Sequence, residues 1–128
     1  LRDSSLPDRD GCYFAATAVA KEAQGQGIFR QINQRRFQII LDRGIDLVFA
    51  RTQNPLVETG IAHHLRRLEQ QGSIRAFTQE RRLLAGHYGQ MLSAERPPRS
   101  SDAPIQQAYD QLVPEKGDAY ALLFALSV

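Results

Sequence analysis

The sequence predicts an α/β or α+β fold, a mixed sheet with helices packed on both faces. Two observations lead there. Strand, helix, strand, helix and further strand material follow one another along the chain, an order that builds layers of helix on sheet. The chain is also long enough for one domain with a real core: 128 residues, 42% hydrophobic and 23% charged.

Residues 1–11 are polar, carry Pro7 and Gly11, and read as a leader or loop with no signal-peptide apolar core. Cys12–Ala20 is short and apolar with β-branched and aromatic members, which predicts a buried strand. A polar turn, Lys21–Gly27, leads into a helix from Gly27 to about Asp42, with Ile28, Ile32 and Ile39 near one face and Phe29 and Ile40 beside them. Gly44 suits a left-handed stop to that helix. Ile45–Ala50 is a second strand, and Pro55 suits the first turn of a helix reaching about Gln71, ended by Gly72. Ser73–Thr78 predicts a short strand and Gln79–Leu92 a helix weakened by Gly86 and Gly89. Residues 93–103, rich in Pro and Ser, form a loop before a short helix at Pro104–Leu112 capped by Asp102 or Ala103. Pro114–Gly117 is a turn. Asp118–Leu126 is a nearly continuous apolar run, as in a strand buried on both faces.

Charge and composition exclude several roles. Sixteen basic and 14 acidic residues leave a net charge of +2. The basic pairs Arg35-Arg36, Arg66-Arg67 and Arg81-Arg82 are spread out and not interleaved with stacking aromatics, so they read as solvated helix faces and no nucleic-acid partner is expected. The single cysteine rules out an internal disulfide and suits the cytoplasm. Cys12 itself reads as a core residue. No apolar run approaches the roughly 20 residues of a membrane span. His63 and His64 are adjacent, so their side chains diverge by about 100° on a helix and no metal site is expected. Glu22 and Glu58 read as solvated residues or candidate bases, and Tyr109 and Tyr120 as packing residues.

Chemistry concentrates at Gln24-Gly25-Gln26-Gly27, which runs directly into a helix. A helix start presents unpaired N–H groups and about half a positive charge, and glycines before it admit a ligand close to the backbone. Together these make a phosphate or pyrophosphate cradle; a tight turn needing glycine for its backbone alone is the competing reading. A P-loop is excluded because no Lys-Ser or Lys-Thr follows. A dinucleotide fingerprint is excluded because Arg30 stands at its third glycine, and a kinase loop because a helix rather than a strand comes next.

What remains resembles the acyl-CoA site of the GNAT superfamily of N-acetyltransferases, whose signature Q/R-x-x-G-x-G/A joins the fourth strand to the third helix. Gln24-Gly25-Gln26-Gly27-Ile28-Phe29 carries the motif, with Phe29 departing at the final small position. The preceding AATAVAKEA looks like the strand along the pantetheine arm. IDLVFARTQNP looks like the fifth strand, ending in Asn54. The resemblance covers residues 12–65.

It implies acetyl-CoA as co-substrate, an amine acceptor and no metal. Pantetheine would insert between the two splayed strands and contact Ala18, Val19 and Ala20 mainly through backbone. The pyrophosphate would sit on Gln24, Gly25, Gln26, Gly27, Ile28 and Phe29. Arg30 would reach a CoA phosphate or point to solvent, and Asn54 would bond the pantetheine arm or cap the helix at Pro55. An N–H near Val19 would polarise the thioester carbonyl. The family's usual tyrosine acid falls at Ile61, and no Tyr occurs from Asn54 to Gln71, so neither a general acid nor a base is assigned. The family has three strands and two helices before its fourth strand, whereas eleven residues precede Cys12 here. The resemblance therefore implies an N-terminally shortened domain whose first strand is an open edge, prone to self-association. Two other readings stay open: a non-catalytic acyl-CoA-binding or partner-binding module, and an unrelated α/β domain holding a phosphate ligand on the same helix start.

Overall fold

A computed structural model of the protein describes residues 11–14, 27–93 and 95–128. In chain order the elements are β1 (Gly11–Phe14), α1 (Ile28–Asp42), β2 (Leu47–Thr52), α2 (Pro55–Gln70), β3 (Ala76–Leu84), α3 (Ala103–Tyr109) and β4 (Ala119–Ser127), with a 3₁₀ turn at Pro114–Lys116. The fold is mixed α+β, and among the described residues 39% are helical and 26% strand. The four strands form one sheet in the order β1-β2-β4-β3. β1 runs parallel to β2, from Gly11 opposite Leu47 to Phe14 opposite Ala50. Parallel neighbours need a crossover, and α1 lies within it. β4 pairs antiparallel with β2 on one side and β3 on the other. No described helix is long and apolar enough to cross a membrane.

Local chemistry sets most helix boundaries. α1 ends as expected at Gly44, which takes φ +67. Gly44 N–H donates to Leu41 O and Ile45 N–H to Ile40 O, closing a Schellman cap. The same pair of bonds ends α2 at Gly72, from Gly72 N–H to Glu69 O and Ser73 N–H to Leu68 O. α3 starts one residue before the expected Pro104, with Asp102 as its cap accepting from Ile105 N–H.

The core is one cluster. Phe37 and Ile40 of α1, Ile61 and Leu65 of α2, and Ile105 and Tyr109 of α3 pack against Val48 and Ala50 of β2 and Tyr120, Leu122, Phe124 and Leu126 of β4. Side chains alternate along a strand, and Val48 pairs with Phe124 and Ala50 with Leu122, so these strand residues share one face. The three described helices therefore gather on that face, where the sequence placed helices on both. This also corrects the two-sided burial expected for β4. Ala121, Leu123, Ala125 and Phe49 point the other way and are only half-buried.

Two further expectations change. The segment expected to be helical from Gln79 is strand to Leu84, followed by turns in which Gly86 and Gly89 take φ +63 and +69. Its Gln, Glu and Arg residues suit a helix in isolation, but pairing with β4 along the whole of Ala76–Leu84 overrides that weak preference. In α1 the buried stripe is Asn33, Phe37 and Ile40, while Ile39 is 47% exposed. The stripe follows the contact with α2, where Phe37 lies against His64 at 5.1 Å between ring centroids.

Candidate functional site

α1 begins at Gly27, which is left-handed at φ 77 and caps the helix without any side-chain hydrogen bond. The first helical bond runs from Gln31 N–H to Gly27 O, so the preceding N–H groups have no partner within the helix. The first turn holds no acidic residue. The positive end of this helix is therefore not offset by a carboxylate in its first turn, and a Cβ built on Gly27 would meet nothing within 4 Å among the described residues. α2 starts differently. Asn54 Oδ1 accepts from Leu56 N–H at 2.9 Å, and Glu58 lies in the first turn. Of the two roles open to Asn54, capping is the observed one.

Beside the start of α1, a cleft of about 410 Å³ opens between α1 and α2, lined by Arg30, Asn33, Gly60, His63, His64 and Arg67. Arg30 thus faces a shared cleft. It acts on His64, whose pKa lies below the ordinary value through burial first and then through the charges of Arg67 and Arg30. Arg67 Nη2 donates to His64 Nδ1 at 3.4 Å, so that nitrogen carries a lone pair. The charge of the cleft then comes from the two arginines. Asn33 is 2% exposed, and its Oδ1 has no hydrogen-bond partner among the described residues. The sequence reading found Arg30 through its place in the first turn. It missed Asn33, Gly60 and Arg67, which join the site only because α1 packs on α2.

Of the other candidates, Ala18, Val19, Ala20, Gln24, Gly25 and Gln26 lie outside the described residues, as does Glu22. Gly27 is exposed and Ile28 half-buried, and Phe29 lies in the first turn of α1. Ile61, at the family's tyrosine position, is a core residue at 1% exposure. Cys12 is half-buried against the core.

Glu58 is not available as a base. It is fully buried, with Arg81 Nε and Tyr109 Oη donating to Oε1 and Gln79 Nε2 and Arg81 Nη2 to Oε2. Burial and the neighbouring Glu58 charge drive the Tyr109 pKa far up, so this phenol stays protonated as a donor. Tyr109 also packs edge-on to Tyr120 at 4.9 Å, in keeping with the packing role read for both. Among the described residues no group of His, Cys, Asp and Glu is arranged to hold a metal ion.

Because Asn54 is a cap, Asn54→Ala is expected to lower stability by about 1 kcal/mol. Chemical denaturation checks this, and an unchanged midpoint would show that the cap bond contributes nothing.

No family model, curated protein or solved structure matches this chain.

Proposed function

We propose that this protein is a GNAT-like N-acetyltransferase domain that binds acetyl-CoA at the start of α1 and transfers its acetyl group to an amine. One observation carries the reading. A parallel strand–helix–strand unit presents a glycine-led helix start without a side-chain cap or first-turn acid, beside a cleft lined by Arg30 and Arg67. Such a terminus favours an anion, and guanidinium groups are well suited to phosphate oxygens. The motif Gln24–Phe29 supplies the link to acyl-CoA rather than to another phosphate ligand. Within this reading Ala18, Val19 and Ala20 hold the pantetheine arm, an N–H near Val19 polarises the thioester carbonyl, and the amine attacks once its proton has gone to a base, the C–S bond then breaking to release the CoA thiolate, which takes up a proton. Cytoplasmic localisation and acetyl-CoA as co-substrate belong to the same proposal.

A second reading is a non-catalytic acyl-CoA-binding module. It is favoured by Ile61, whose place in the core leaves no hydroxyl where the family's acid stands.

Calorimetry with acetyl-CoA, ATP and NAD separates the ligand classes. Heat with acetyl-CoA is expected; binding of NAD with none of acetyl-CoA would refute the assignment. Gly27→Asp places a negative charge at the helix start and should weaken acetyl-CoA binding by about 1–3 kcal/mol. The same charge at exposed Ser101 should not. Equal losses in both variants would mean that the glycine turn is not the site. Binding without turnover across a panel of amines would select the non-catalytic reading.

A further inference from the structure

We propose that the sheet face opposite the described helices carries a second binding site, an oxyanion receptor built on Arg51 with Tyr13, His87 and Arg82. It is independent of the acetyl-CoA reading and uses none of the residues of the α1–α2 cleft.

The register assembles it. On this face Arg51 of β2 and Arg82 of β3 both lie opposite Ala121 of β4, one on each side. Both arginines are exposed, and Ala121 between them is a small, half-buried residue. Tyr13 lies opposite Phe49, one row away. Arg51 Nε donates to Tyr13 Oη at 2.8 Å, and its guanidinium carbon sits 5.1 Å from the Tyr13 ring centre. Arg51 Nη1 lies 3.1 Å from His87 Nε2.

Hydrogen-bond inventory then gives the chemistry. Arginine cannot accept, so His87 Nε2 does, and the ring proton sits on Nδ1. Tyr13 Oη accepts from Arg51, which leaves its own hydrogen to donate. Arg51 Nη2 has no partner among the described residues. The groups left over are therefore all donors around two positive charges. Among the described residues no carboxylate pairs with Arg51, and hydrogen bonding to Tyr13 holds the guanidinium charged. Among the described strand residues on this face the carboxylate is Glu80, which lies opposite Leu123, in the row next to the arginines. Donors of this kind around a guanidinium recognise a carboxylate or phosphate.

The site is held in place from behind. Tyr88 N–H donates to Gly117 O, and Gly86 N–H donates to Asp118 Oδ1. Gln53, 6% exposed, donates to the carbonyls of Gln90, Pro114 and Asp118 and accepts from Leu92 N–H. These bonds fix the loop that brings His87 to Arg51.

The test is a titration of the full chain with inorganic phosphate and, separately, with acetate, followed by NMR at the Arg51 Nε–H, the His87 ring and the Arg35 Nε–H. Saturable shifts at Arg51 and His87, exceeding those at exposed Arg35, are expected. The anion that saturates at lower concentration names the class. Arg51→Gln should abolish the His87 response while leaving any response at the start of α1 intact. His87→Ala should weaken binding by about tenfold. Both positions are exposed, so the melting temperature should hold. Absence of saturation with both anions, equal shifts at Arg35, or an undiminished response in Arg51→Gln would overturn the proposal.

Discussion

Arg81→Met is expected to cost about 3 kcal/mol of stability, among the largest effects of any single substitution in this chain. Glu58 is fully buried and carries its charge against four donated hydrogen bonds, two of them from Arg81. Removing the guanidinium leaves a carboxylate inside the core with only Gln79 and Tyr109 to bond it. Desolvation is then no longer offset by an opposite charge. The remaining two donors keep the cost at the lower end of what breaking a buried ion pair usually brings. The Arg81 side chain is 27% exposed, and its guanidinium carbon lies 5.5 Å from the Tyr120 ring centre, a cation–π contact that Met gives up. Removing both charges should therefore help: the double variant Glu58→Leu with Arg81→Met is expected to be more stable than Arg81→Met alone. Urea denaturation measures both. A double variant less stable than the single would mean that packing rather than the unpaired charge sets the loss.

Gly117→Ala is expected to cost about 2–3 kcal/mol and to release the loop that carries His87. Gly117 takes φ +84, and a Cβ there would lie 2.1 Å from Gly89 N and 2.7 Å from Gln90 N. Both are backbone atoms, so the loop itself must move. Moving it breaks the bond from Tyr88 N–H to Gly117 O and draws His87 away from Arg51. Gly27→Ala is the comparison. Its φ of +77 is similar but its Cβ meets nothing within 4 Å among the described residues, so only about 1 kcal/mol of backbone strain is expected. Thermal melts of the two variants, with amide exchange over residues 85–92, separate strain from collision. Equal losses would place the whole effect in the backbone angle. The same loop should loosen in acid. Asp118 accepts from Val113 and Gly86 N–H, which holds its carboxyl below the ordinary aspartate value. The folded-state value is the lower one, so this stabilisation is complete above the ordinary aspartate pKa. It is lost as pH falls through the depressed one.

Features that neighbouring residues settle among themselves were legible along the chain. Gly44 and Gly72 end helices because a left-handed residue closes the last turn locally, and Asn54 and Asp102 start them because a short side chain reaches the next free N–H. The glycine turn into α1 belongs to the same class: Gly27 stands at the helix start, as its position in the chain implied. Contacts between distant segments set the rest. Gln79–Leu84 is strand because β4, 35 or more residues further on, supplies its hydrogen-bond partners, and no local preference could report that. Glu58 changed from a candidate base to a buried anion because Gln79, Arg81 and Tyr109 converge on it from β3 and α3. Arg51 meets Tyr13 and His87 across separations of 38 and 36 residues. Pairing across such distances is set by sheet register and loop anchoring, which depend on the packing of the whole sheet and not on the residues at either end.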